Sequence, residues 1–245
     1  MGFCHRLPWL VGQREQDLLF LHWPMTPEQV RPLVPQPLTL DLRDGVAWVT
    51  MIPFRMAGLH ARWLPPMPGL STFAEVDLFT YVLADGVPGV TCLRIDAANL
   101  VGAWAGWNLF ALPYHHSHVE LKRDEDWRVF SSRGKPVSSG LVPELRVRYR
   151  PSGPEHTAAP GTLAHFLVEC FIMYSVTSGG RVLAAKETRP PRVIQAAEVT
   201  LERNTLLKTV GLPDLPPDPV MWFCRECRIH TWLPAPVPSG ASRAR

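Results

Sequence analysis

Short apolar stretches separated by proline-rich punctuation run the length of this chain, a pattern that predicts an antiparallel sheet rather than repeated strand-helix-strand units. Prolines cluster at 32–37, 65–68, 151–160, 190–191 and 213–219. Each cluster marks a turn or loop, because proline lacks an amide donor and restricts the residue before it. At 144–149, Leu145, Val147 and Tyr149 alternate with Glu144, Arg146 and Arg148, as in a strand with one wet face. Residues 45–56 are apolar on both alternating faces and predict a central strand covered on both sides. Residues 119–130 predict a hairpin turning at Asp124, Glu125 and Asp126.

Two helices are expected. Thr26, Pro27 and Gln29 have the spacing of a capped helix start, with Val30, Leu33 and Val34 on the inner face before Pro35. A longer helix is predicted from Thr162 to about Val176, where Leu163, Phe166, Leu167, Cys170, Phe171 and Tyr174 recur at helical spacing before Gly179 and Gly180. No internal repeat is found.

Composition removes several function classes. With 46% hydrophobic and 19% charged residues the chain has material for a packed interior. A net charge of +3, from 25 basic and 22 acidic residues with no basic block, argues against nucleic acid as a partner. The N-terminal stretch turns polar at Gln13 to Asp17 and offers neither a signal-peptide run nor a membrane span, so a cytoplasmic protein with no membrane partner is expected. Five cysteines, an odd number, argue for reduced thiols. Cys224 and Cys227 form a lone C-x-x-C without the second ligand pair of a zinc site, and read as two thiols in a late strand.

Three stretches, in order, resemble the acetoacetate decarboxylase-like superfamily: residues 19–38 with their V-P-Q-P-L exit, residues 73–82, and residues 106–116, G-W-N-L-F-A-L-P-Y-H-H. Within it the chain is similar to the YqjF-like family of uncharacterised conserved proteins, through F-L-H-W at 20–23, P-F-R-M at 53–56, the L-P-x-x-P-G-L loop at 64–70 and L-P-Y-H at 112–115. The resemblance implies an α+β fold built on a strongly curved, mainly antiparallel sheet, a cone or barrel, with a few packed helices. It spans an expected domain at 17–235, between an N-terminal segment at 1–16 and a disordered tail at 236–245. Homo-oligomerisation is compatible with it.

The decarboxylases work through a lysine that forms a Schiff base, its pKa lowered by a neighbouring lysine. Counted without gaps from Gly106, those two positions are Tyr114 and His115, and the chain's lysines, Lys122, Lys135, Lys186 and Lys208, all lie elsewhere. Schiff-base decarboxylation is therefore not expected. Glu75 matches the family's active-site glutamate, and alternation places Glu75, Asp77, Phe79 and Tyr81 on one face. The same rule groups Val90, Cys92, Arg94 and Asp96, making Arg94 a partner for Glu75 or Asp77, a ligand anchor, or a member of a structural ion pair.

The expected catalytic set is thus Glu75, Tyr114 and His115, with Asp77, Arg94, His116 and Tyr81 binding the ligand. Histidine titrates near neutrality and a buried glutamate rises toward it, which suits acid-base work on a small organic acid or carbonyl compound. His115, His116, His118 and Glu120 have a composition that metals use, but hydrogen bonding at a pocket mouth is the favoured reading, and neither metal nor cofactor is expected. A ligand-binding or sensor protein that kept the pocket, and a module in which these residues only pack, remain as alternatives.

Overall fold

A computed structural model describes residues 8–213 and 218–237. Its strands are β1 (Val11–Met25), β2 (Thr39–Leu40), β3 (Ala47–Ala61), β4 (Phe73–Ala84), β5 (Val87–Ala97), β6 (Tyr114–His116), β7 (His118–Asp124), β8 (Trp127–Arg133), β9 (Glu144–Thr157), β10 (Ile172–Val176), β11 (Val182–Thr188), β12 (Val193–Asn204), β13 (Val220–Thr231) and β14 (Ala235–Pro236). The helices are α1 (Pro27–Val30), α2 (Leu100–Phe110), α3 (Leu163–Val168) and α4 (Leu206–Thr209). All the strands belong to one sheet, ordered β14-β11-β10-β5-β4-β3-β1-β13-β12-β9-β8-β7, with β2 on β4 and β6 on β5. Pairing is antiparallel except where β5 meets β6 and β10.

The sheet returns on itself. Glu187 and Thr188 of β11 pair with Thr231 and His230 of β13, so β11, β10, β5, β4, β3, β1 and β13 form a closed circuit. Beyond β13 the strands β12, β9, β8 and β7 continue as an arm, and Phe130, Val147 and Tyr149 from it join Leu19, Val49 and Leu78 of the circuit in one buried cluster. A second cluster, with Leu18, Phe20, Ile52, Phe54 and Leu167, fills the opposite face. Central β3, buried on both faces over most of its length, serves both clusters, as its doubly apolar sequence requires.

Two irregularities decide which side chains face inward. Strand parity is strict, so one extra residue sends every later side chain to the other face. In β1 the bulge lies around Asp17, whose φ is 54°, and it shows in the register against β3: Gln16 pairs with Arg55, but Leu21 pairs with Met51. Buried Asp17 is held by Arg123 (2.7 Å) and Arg128 (2.9 Å), and Tyr149 donates to its carbonyl at 2.6 Å. In β5 the shift lies at Leu93, where Leu78 faces Arg94 but Phe79 faces Cys92.

Several expectations change. β1 begins at Val11, so residues 11–16, which the sequence reading sets apart from the domain, belong to the sheet. The expected tail lies outside the described residues from 238 onward. The helix predicted over 162–176 is α3 alone, followed by strand β10. Thr162 caps its start, accepting from the His165 amide at 3.2 Å. Its end is set from outside: Arg189 donates to the Val168 and Cys170 carbonyls at 2.8 and 3.1 Å, Arg192 donates to Val168 at 3.0 Å, and Glu169 binds the Arg192 amide at 2.9 Å. Those guanidinium groups supply the partners that a further helical turn would have supplied. Conversely α2, apolar apart from Asn108, has no polar face and hence no helical period to read. Among the described residues no helix is long and apolar enough to cross a membrane.

Candidate functional site

Inside the closed circuit lies a cavity of about 400 Å³, within the range of ~300–1,000 Å³ usual for small-molecule sites. Phe54, Phe73, Phe79, Ile95 and Met173 give it apolar walls. Leu64, Met67 and Leu109, which line it and are exposed, mark its mouth between the 62–70 loop and α2. His60 also lines it, its Nδ1 2.7 Å from the Gly58 carbonyl.

β4 delivers the acids. Alternation projects Glu75, Asp77 and Phe79 into the cavity from one wall. Glu75 and Asp77 hydrogen-bond to each other, and the Tyr114 hydroxyl donates to Glu75 Oε1 at 3.2 Å. Glu75 Oε2 and Asp77 Oδ1 are buried with no protein partner, so each carboxyl carries one unsatisfied oxygen in the cavity wall. Burial above all pushes the Glu75 carboxyl up to about 8; bonds to Asp77 and Tyr114 pull it down and the charge of Glu15 raises it. Asp77 is held well above the carboxylate range by burial and then by the charges of Glu75 and Glu15. The pair therefore keeps at least one proton at neutral pH, so it presents a donor and an acceptor at once. Tyr114, pushed up by burial and by Glu75 and Asp77, stays a neutral donor.

Tyr114 reaches the site because β6 pairs in parallel with β5, setting Tyr114 beside Ile95 and His115 beside Asp96. Ile95 lines the cavity, and the next residue on each strand points the other way. Gly106 of α2 makes room for the ring: a Cβ there would overlap the Tyr114 Cε2 and Cδ2 atoms.

The remaining sequence-predicted residues lie elsewhere. His115 and His116 are exposed and do not line the cavity, which corrects the expectation that His115 enters it from the rim. Burial, then Arg94, lowers the His115 pKa. The shift at Leu93 turns Arg94 away from Glu75 and Asp77; it forms a buried pair with Asp96 at 2.5 and 2.9 Å, and Ser117 donates to the same carboxylate. Arg94 is thus the structural ion pair, not a ligand anchor. Tyr81 shares the face of Glu75 but lies past the cavity, where its hydroxyl donates to the Leu167 carbonyl at 2.7 Å. Thr50 lies 2.8 Å from that hydroxyl and 2.7 Å from His22 Nδ1, forming one buried chain. Burial, with Arg192, drives His22 down to about 3, so it is neutral. His118 lies 3.7 Å from Glu120, which Lys122 also contacts at 2.6 Å.

Three cavity residues escaped the sequence reading. Glu15 and Arg192 form an ion pair at 3.2 Å, and Glu187 lines the wall contributed by β11. Burial and the charge of Glu15 push Glu187 up to about 7 against the pull of Arg192 and Arg189. Lysine is absent from the cavity lining, and all four lysines are exposed. Among the described residues no three histidine, cysteine or acidic side chains are grouped as a metal site would need.

The family profile of DUF2071, described as an uncharacterized conserved protein, matches residues 12–228. The uncharacterized protein YqjF of Bacillus subtilis (strain 168) is 30% identical over 224 residues, which cover 91% of each chain. Among solved structures, an acetoacetate decarboxylase-like enzyme from Sphingomonas wittichii RW1 superposes with a TM-score of 0.64 at 11% identity, covering 95% of this chain and 94% of that one. The enduracididine biosynthesis enzyme MppR also gives 0.64 at 11% identity, with 94% and 89% covered. Acetoacetate decarboxylase from Legionella pneumophila gives 0.61 at 11% identity, with 98% and 92% covered. At such identities the likeness establishes the fold, α+β and acetoacetate decarboxylase-like, and nothing about the chemistry.

Proposed function

The chain belongs to the DUF2071 family of uncharacterized conserved proteins, and from the site inside its fold we propose that it binds a small carbonyl compound and moves a proton at the carbon beside the carbonyl. The observation that supports this reading is the carboxyl pair, Glu75 and Asp77, in the wall of an apolar cavity, with Tyr114 on its edge and one unpartnered oxygen on each carboxyl. Of the two ligand classes that the residue types suggested, organic acid and carbonyl compound, the second suits these groups better. A carbonyl oxygen accepts from the protonated carboxyl, whereas a free carboxylate would add charge beside groups already driven to hold protons.

The chemistry follows from one shared proton. The protonated member of the pair gives its proton to the substrate oxygen while the ionised member takes the proton from the adjacent carbon; the enol hydroxyl that forms then donates back to the carboxylate left behind. Reversal returns the proton to carbon. No imine forms, since no amine faces the cavity. Apolar walls strengthen each of these interactions by excluding water.

Untargeted mass spectrometry of small molecules released from the purified protein tests the reading. Wild-type protein is expected to release a carbonyl compound that Glu75→Gln protein does not retain. Equal retention by both would remove Glu75 from the site.

A further inference from the structure

The closed circuit places β11 opposite β4: from β4 it is reached through β5 and β10 in one direction and through β3, β1 and β13 in the other. Glu187 therefore faces the Glu75 and Asp77 wall across the cavity. The cavity's charges do not balance. Its one guanidinium, Arg192, is committed to Glu15 at 3.2 Å and to the Val168 carbonyl at 3.0 Å. His60 stands at the mouth side, against Trp9 and the Gly58 carbonyl. Among the described residues no basic side chain forms an ion pair with Glu75, Asp77 or Glu187, although Glu75 is 2% exposed and its Oε2 has no partner. Unpaired acids enclosed in this way persist either by holding protons or by meeting a cation.

We propose that the ligand is an amino-carbonyl compound, its carbonyl oxygen at the β4 wall and a protonated nitrogen seated against Glu187 on the β11 wall. This rests on the carbonyl reading above and adds the second recognition element. A nitrogen entering there meets an acid that no basic side chain bridges, Arg192 and Arg189 acting on it only from their own pairs with Glu15 and Glu169, while its carbon skeleton lies along Phe54, Phe79 and Met173. A carboxylate of the same shape finds no free cation, because the guanidinium in the cavity lining, Arg192, is already paired with Glu15. Burial pushes the Glu187 carboxyl up to about 7, so it takes up a proton where no cation lies beside it.

Three probes of one shape and different charge separate the possibilities: 3-phenylpropylamine, 4-phenylbutan-2-one and 3-phenylpropanoate, titrated into the full chain at one pH near 7.5. The amine should bind at least about tenfold more tightly than the carboxylate, equivalent to about 1.4 kcal/mol. In Glu187→Gln the ratio of amine to ketone affinity should fall about tenfold. Carboxylate binding equal to or tighter than that of the amine overturns this inference and leaves the carbonyl reading standing. Binding of the amine without the ketone overturns the carbonyl reading and the amino-carbonyl assignment with it, keeping only Glu187 as a cation's seat, and binding of none of the three overturns everything. An unchanged amine-to-ketone ratio in Glu187→Gln, with wild-type unfolding temperature, removes Glu187 as the nitrogen's seat.

Discussion

Replacing Glu75 with glutamine keeps the shape of the side chain and an oxygen to accept from Tyr114, but removes the charge. Glu75 is 2% exposed, and its carboxyl is raised from 4.5 to about 8. A raised acid binds more protons folded than unfolded between those two values, so its contribution to stability falls as pH rises through that window. At about 1.4 kcal/mol per pH unit, the rise from 4.5 to about 8 sets a ceiling of roughly 5 kcal/mol on the cost of the buried anion, and sharing the proton with Asp77 reduces it to a few kcal/mol. At pH 5 the wild-type carboxyl is neutral, and the two proteins should unfold in urea within about 1 kcal/mol of each other. At pH 9 the variant should be the more stable by a few kcal/mol, while failing to retain ligand. A stability difference that does not change between pH 5 and 9 would refute the burial argument, as would a variant less stable at pH 9.

Other expectations follow from the same geometry. Gly106→Ala drives a methyl group into the Tyr114 ring; ligand retention should fall at least about tenfold, with a loss of about 1–3 kcal/mol in stability, and retention at wild-type level would show that Tyr114 is not placed by this contact. His115→Ala, altering an exposed residue outside the cavity, should change ligand affinity by less than about threefold, as surface substitutions do, and a larger loss measured by the same titration would bring His115 back into the site. Borohydride added with acetoacetate should trap no covalent adduct by intact-mass analysis, since every lysine is exposed and none faces the cavity. Neutral, buried His22, driven down to about 3, binds fewer protons folded than unfolded between 3 and 6.5; its contribution is complete above 6.5 and fades with acid, so His22→Gln should flatten the acid limb of a stability-versus-pH profile.

Alternation along β4 made Glu75 and Asp77 legible as one face, because no irregularity interrupts the strand between them. Tyr114 was located by the resemblance of residues 106–116 and by its place after Pro113, not by any period. The same alternation misled at Arg94, where the shift at Leu93 reverses the face, and no residue in that stretch announces it. Glu15 was hidden by the bulge at Asp17, an ordinary aspartate whose positive φ is held by two arginines more than a hundred residues away in sequence. Helical spacing from Leu163 to Tyr174 was real but was overridden after Val168 by Arg189 and Arg192, so β10 and the neighbouring strand that carries Glu187 could not be foreseen. Local pattern thus gave the strands, whereas tertiary hydrogen bonds decided which carboxyls share the cavity.

The most direct test of proton transfer at this site is exchange at carbon. With 4-phenylbutan-2-one in deuterated buffer near pH 8, where the carboxyl pair shares its proton, proton NMR should show the signals beside the carbonyl disappearing faster with wild-type protein than with buffer. Glu75→Gln should return the rate to that of buffer. Ketone that binds but exchanges no faster than in buffer would contradict the account and leave a binding protein; exchange that persists undiminished in Glu75→Gln would place the chemistry elsewhere.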